Sequence, residues 1–442
     1  MNDRCGWSDH LRSVDLQRRI GWVRRVQGLA IESEGPRAAV GEMCRVVPPG
    51  ARVDTGILAE VVGLQHDHVT LLAYGSLQAV AAGAQVVALG RRGSVAVGPA
   101  LLGRVIDAFG EPLDGGPPPV TPFLQPLHGP APNPLQRPRI RQVLETGIRA
   151  IDGLLTLGQG QRVGIFAGSG VGKSTLLGMV ARHAKADVNV IALIGERGRE
   201  VREFVERQLG PDGLRRCVVV VATSDQPALA RLRAAHAAVA IAGYFSASGA
   251  TVVLTMDSIT RMAMARREVG LAAGEPATAR GYTPSVFAEL PQLCERCGTS
   301  PSGGSITALM TVLVEGDDLN EPVADSLRSI LDGHIVLSRE LAEQGHYPAI
   351  DALRSASRLL PELAAPHERA LAMSAVRQLA TLQRNRQMVD IGAYQSGTNA
   401  ALDEALALDA GLRAWLQQAD GGISRADAMR GLAQALGLED KA

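Results

Sequence analysis

Between Ala167 and Thr175 the chain reads AGSGVGKST, a spacing of glycines, lysine and hydroxyls suited to holding a polyphosphate. Gly168, Gly170 and Gly172 permit backbone turns that side-chain-bearing residues resist, so the N–H groups of Gly168, Ser169, Gly170, Val171 and Gly172 can face phosphate oxygens. Lys173 supplies a positive charge that can reach the β- and γ-phosphates, Ser174 is placed to ligate Mg2+, and Thr175 closes the loop. The apolar run RVGIFA precedes the loop and STLLGMVARHA follows it. That strand–loop–helix setting separates a phosphate cradle from a chance glycine turn, and the helix N-terminus adds partial positive charge. Ala167 stands where the pattern asks for a first glycine, which alters the strand end and not the cradle. The cofactors this implies are ATP and Mg2+.

Two acids could complete phosphoryl-transfer chemistry. The run VVLTMD ends at Asp257, and such a strand places its terminal carboxylate beside Mg2+ in a P-loop fold. The segment IALIGERGREV brings out Glu196 after an expected strand at Val188–Ile194. Ligands of open parallel sheets bind outside the carboxyl ends of the strands, so Glu196, Lys173 and Asp257 should converge at one edge. A carboxylate there can orient and polarise an attacking water. Spacing alone leaves a second reading open, in which Glu196 and Arg197 form a surface ion pair.

These groups need a sheet to hold them, and the chain supplies one. Strands are expected at Arg162–Ala167, Val188–Ile194, Val218–Thr223, Thr251–Met256, Ser305–Val314 and His334–Leu337, alternating with helices across residues 144–361. Continuous apolar strands of this kind belong to a mainly parallel α/β sheet covered on both faces. Upstream, residues 21–95 are short β-rich runs with turn signals about every ten residues, which predicts a small closed β-barrel. Residues 96–143, rich in Pro and Gly, read as a linker, and 362–442 as a C-terminal helical domain. Residues 1–20 form a separate N-terminal segment.

Composition narrows the partners. Among 442 residues, 45 basic and 45 acidic side chains cancel, so no global field draws the chain to nucleic acid. Aromatics are 3%, too few for a base-stacking surface. Five scattered cysteines read as reduced thiols of a cytoplasmic protein, and the first 20 residues carry no apolar export signal. The uncharged run from Ala234 to Met256 is mostly small residues and reads as a helix followed by a buried strand, not a membrane span. Cys294 and Cys297 have the spacing of a zinc pair, but no second pair accompanies them, and they read as core thiols.

GERGREV, TMDSITRMAMARREVGLAAGEP, GYTPSVFAELPQLCER, TVLVEGDDLNEPVADSLRSILDGHIVLSR, GHYPAID and SASR follow one another in this order. Together they resemble the ATPases of bacterial type III protein secretion, which are similar to the catalytic subunit of rotary ATP synthases. The resemblance covers nearly all of residues 20 to 400 and implies a RecA-like P-loop core in a homo-hexamer, with nucleotide at subunit interfaces. It makes Glu196 the water-activating acid, puts Arg197 near the γ-phosphate with Arg261 in support, and makes Arg358 a finger reaching the neighbour's site. Tyr347 would flank the adenine, with Tyr394 a second candidate. ATP hydrolysis would drive chaperone release, unfolding and export of proteins. The implied partners are stator and stalk proteins, an export gate and effector–chaperone complexes, with peripheral contact at the inner face of the inner membrane through residues 1–20. Asn320-Glu321-Pro322 looks more like the injectisome branch than the flagellar one. A Rho-type nucleic-acid motor and a non-catalytic ring subunit are the alternatives. Retention of Lys173, Glu196, Asp257 and Arg358 together argues against the latter.

Overall fold

Six strands close into a barrel in the order Ile20–Gln27, Ala30–Glu34, His68–Ala73, Ile57–Gln65, Glu42–Val47 and Gln85–Arg92. The computed structural model describes residues 18–438 apart from 67, 315, 317 and 421, so most of the segment 1–20, and Cys5 with it, lies outside the described residues. Alternate residues of the barrel strands have two destinations. Ile31, Cys44, Val46, Leu71 and Val86 fill the barrel, whereas Met43 and Leu72 point out and join the core of the next domain. His66 sits in the turn between two strands at φ 53°.

The central sheet runs Ile350–Ser357, Gly333–Leu337, Arg162–Ala167, Ser305–Leu313, Thr251–Asp257, Val188–Ile194, Cys217–Ala222 and Arg104–Asp107. All neighbours along this path are parallel except the first pair. Successive residues of its middle strands enter opposite cores. Val190 and Ala192 pack with the helix Ala228–Ala247, and Ile191 and Leu193 pack with the phosphate-loop helix Lys173–His183. Burial on both faces is why these strands read as unbroken apolar runs.

Two strands on this path depart from the expected set. Arg104–Asp107 lies in the stretch read as linker, yet it pairs in parallel with Cys217–Ala222 at the sheet edge. Four residues among turns are too few to show periodicity, and the partner is more than a hundred positions away. Ile350–Ser357 was not expected as a strand at all. It is only half-buried and forms the opposite, antiparallel edge. Beyond it the helices Pro366–Asp390, Ala400–Leu416 and Arg425–Ala435 pack together and against the helix Arg149–Leu154. Trp415 seals that contact: it is buried, its Nε1 donates to Ala428 O at 3.0 Å, and a methyl added to Gly153 would lie 2.7 Å from its ring.

Candidate functional site

The phosphate loop starts where the Arg162–Ala167 strand ends. Ala167 completes the ladder, its carbonyl accepting from Val314 N at 3.1 Å, so alanine suits this position. Gly172 has φ 84°, left-handed backbone that favours glycine, and it caps the helix Lys173–His183. Ser174 and Thr175 are exposed in the first helical turn. A cavity of about 590 Å³ opens over the loop and is walled on its far side by Glu196, Arg197, Arg261 and Arg339.

Glu196, Lys173 and Asp257 do meet. Lys173 Nζ is bonded to Asp257 Oδ1 and lies 3.7 Å from Glu196 Oε1. Asp257 is buried and its Oδ1 also accepts from Thr311 Oγ1 at 2.7 Å. Strand order explains the convergence: Ser305–Leu313 lies between the loop strand and the Asp257 strand, and Val188–Ile194 flanks the latter on its other side. Gly195, at φ 70°, turns the chain outward; a methyl there would sit 3.1 Å from the Arg261 side chain, so glycine lets Arg261 pass beside Glu196.

Burial pushes the Glu196 carboxyl up to about 7, because its charged form loses hydration. The nearby Asp257 charge acts in the same direction, and the Lys173 ammonium opposes both. A carboxyl poised near neutrality beside a phosphate cradle suits proton acceptance from water. The surface ion pair considered from spacing does not form. Glu196 faces Lys173, while the exposed Arg197 is 3.7 Å from Glu200.

The residues fit a magnesium nucleotide. Arg261 Nε is buried without a hydrogen-bond partner at the cavity wall, an orphan donor that an anionic oxygen would satisfy. Ser174 hydroxyl and Asp257 carboxylate are hard oxygen donors, and Mg2+ keeps several waters, so two protein ligands suffice.

Tyr347 is half-exposed and its ring would lie 3.2 Å from a methyl on Gly172, so it stands against the loop. Tyr394 lies in the connection between the helices Pro366–Asp390 and Ala400–Leu416, its hydroxyl held by Asp403 at 2.8 Å. Arg358 is somewhere else altogether. Its backbone N donates to Asp332 O, and Asp332 N donates to Arg162 O, which places Arg358 at the start of the strand whose other end carries the loop. It directly follows the edge strand Ile350–Ser357.

Two residues near the site were not singled out from the sequence, although both lie at the ends of the motif TVLVEGDDLNEPVADSLRSILDGHIVLSR. Thr311 sits inside the apolar run SITALMTVL, and only strand register brings it to Asp257. Arg339 Nη1 donates to Ser169 O at 3.3 Å. Cys294 and Cys297 are free and fully buried, with burial pushing the Cys297 thiol up to about 12. Among the described residues no group of three or more His, Cys, Asp or Glu is placed to hold a metal ion.

The model of the T3SS EscN ATPase C-terminal domain matches residues 364–434. The nucleotide-binding and β-barrel domain models of the ATP synthase alpha/beta family match residues 147–357 and 23–90. The flagellum-specific ATP synthase of Bacillus subtilis is 52% identical over 403 residues, 90% of each chain. The type 3 secretion system ATPase of Xanthomonas euvesicatoria is 48% identical over 412 residues, 92% of each. This chain belongs to the type III secretion ATPase family. Among solved structures, the assembled ATPase EscN of the enteropathogenic E. coli type III secretion system superposes with a TM-score of 0.89 at 44% identity, covering 94% of this chain and all of that one. EscN in complex with its central stalk EscO superposes at 0.86 and 43% identity, with the same coverage. The chain is therefore a P-loop ATP-hydrolysing enzyme, and its barrel, mainly parallel sheet and helical end are the family's architecture.

Proposed function

We propose that this ATPase works as a ring of six copies that couples ATP hydrolysis to chaperone release, unfolding and export of proteins. The observation that carries the reading is the joint placement of Lys173, Glu196 and Asp257 at one sheet edge beside an open phosphate cavity. Backbone N–H groups of Gly168 to Gly172 and the Lys173 ammonium hold the phosphates. Ser174 and Asp257 would hold Mg2+, which would supply positive charge against the phosphate oxygens. Glu196 orients the attacking water and takes its proton, while Arg261 and Arg197 bear on the γ-phosphate from the cavity wall. Tyr347 flanks the base, and Arg358 of a neighbouring copy offsets transition-state charge.

A stalk protein in the ring's central channel is the expected partner, by analogy with the EscN–EscO complex. Stator proteins, an export gate and effector–chaperone complexes complete the set. No helix of the described residues is long and apolar enough to cross a membrane; the contact proposed with the inner membrane is peripheral. The DDLNEPVAD motif favours an injectisome, with the flagellar apparatus as the second reading, since relatives named for either system are similar at 52% and 48% identity. Affinity purification from the native cell decides. Recovery of injectisome stalk and stator proteins supports the first reading, and recovery of flagellar ones the second. Lys173→Ala should fold, lose ATPase activity and fail to restore export in a deletion strain. Normal turnover in that variant would remove the phosphate-loop assignment.

A further inference from the structure

We propose that Thr311 is a positioning residue for the metal-binding carboxylate: its hydroxyl fixes which oxygen of Asp257 remains available to the metal. The inference rests on the reading above, in which Asp257 is a metal ligand.

Thr311 lies on Ser305–Leu313, the strand between the phosphate-loop strand and the Asp257 strand. Parallel register pairs Met310 with Met256, so Thr311 comes level with Asp257. It is fully buried, and its neighbours Met310 and Val312 are buried apolar side chains. A hydroxyl at such a place costs stability unless it is hydrogen-bonded. Two acceptors are in reach: Asp257 Oδ1 at 2.7 Å and the Met256 carbonyl at 3.2 Å. A threonine has one proton to donate, and the shorter contact is to the ionisable oxygen, where a charge-assisted bond is stronger. Because threonine is β-branched, its χ1 is stiff and the hydroxyl keeps its aim.

The consequence concerns the two carboxylate oxygens. The bonds from Lys173 Nζ and Thr311 Oγ1 both fall on Oδ1. When phosphates draw Lys173 away, Thr311 is the group that still holds Oδ1, leaving Oδ2 for the metal. Without the hydroxyl the carboxylate is free to rotate about its terminal torsion, which is broad and roughly two-fold. Rotation exchanges the oxygens and weakens the metal site without touching the phosphate cradle. Another buried hydroxyl on the same strand behaves differently: Thr307 Oγ1 accepts from Gly160 N at 2.8 Å and has no part in the site.

The test measures the affinity of a fluorescent ADP analogue for the purified full chain in excess EDTA and in Mn2+, with no turnover involved. The ratio of the two affinities isolates the metal's contribution. Thr311→Val keeps the side-chain shape and removes the donor, and is expected to lower the ratio by about 10-fold, the size of one charge-assisted hydrogen bond. Affinity in EDTA should hold within about twofold, and Thr311→Ser should restore the ratio. Asp257→Asn serves as the reference. If Asp257→Asn collapses the ratio and Thr311→Val leaves it intact, the positioning role is wrong. If Thr311→Val lowers the EDTA affinity and the melting temperature together, Thr311 is merely structural and the inference is equally wrong. If Asp257→Asn itself leaves the ratio unchanged, it is the assignment of Asp257 as metal ligand that fails.

Discussion

Arg358→Ala tests both chemistry and assembly, and the structure sets its expected size. Arg358 is tied through Asp332 to Arg162, the first residue of the loop strand, whereas the loop begins after Ala167 at the other end. Five residue steps of about 3.3 Å put roughly 17 Å of strand between them, further than one arginine side chain extends. The exposed guanidinium therefore cannot serve its own subunit's γ-phosphate and is free to serve a neighbour's. Arginine fingers contribute about 10³- to 10⁵-fold in rate, so Arg358→Ala alone should be nearly inactive while still binding nucleotide. Lys173→Ala should be equally inactive for a different reason. In a ring of head-to-tail contacts each interface joins one copy's loop to the next copy's finger. An equal mixture of the two variants then gives about a quarter of interfaces an intact loop and an intact finger. A quarter of wild-type rate stands roughly two orders of magnitude above either variant alone. The assay is steady-state phosphate release by the mixture, with mixed rings verified by pulling one tagged variant and probing for the other. Mixed rings with no recovered activity, or a fully active Arg358→Ala, would refute the finger's action across the interface.

Glu196→Gln should keep nucleotide affinity and lose roughly 10²-fold or more in turnover, because positioning survives and proton acceptance does not; lost binding with normal residual turnover would mark Glu196 as structural. In the wild type, kcat/KM should fall with acidification below about pH 7, as Glu196 takes up its proton; a flat profile from pH 8 to 5.5 would contradict this. Stability runs the opposite way. The folded-state value of Glu196 is raised above its ordinary 4.5, so its contribution to stability is complete below pH 4.5 and is lost as pH rises through about 7. Glu196→Gln should accordingly raise the melting temperature at pH 8 more than at pH 5, and an equal effect at both would count against burial as the cause. Trp415→Ala should cost about 3 to 5 kcal/mol by emptying the space over Gly153. The readout is faster amide exchange across residues 400–435 than in the wild type, and unchanged exchange would show that Trp415 does not seal the helical end.

How much of this was written locally is a matter of range along the chain. The phosphate loop was legible because its requirements are short-range: glycine backbone freedom, a lysine, a hydroxyl, and an apolar strand and helix on either side. Asp257 was legible as the acid that ends an apolar run. The six inner strands of the sheet stood out because burial on both faces leaves an unbroken apolar signal. Glu196 was different. From spacing it could have been a surface partner of Arg197, and what removed that reading was the strand order of the sheet, which brings Lys173 within 3.7 Å. Thr311 is one of three hydroxyls in a largely apolar strand and acquires a role only through its register against Met256 and Asp257. The short edge strand Arg104–Asp107 and the position of Arg358 at the far end of the sheet were equally out of sight. Backbone turns and caps are decided by residues within a few positions of one another, so a sequence displays them. Which strands lie side by side, and at which end of the sheet a side chain emerges, depends on pairings between segments tens to hundreds of residues apart, and only the folded chain makes those.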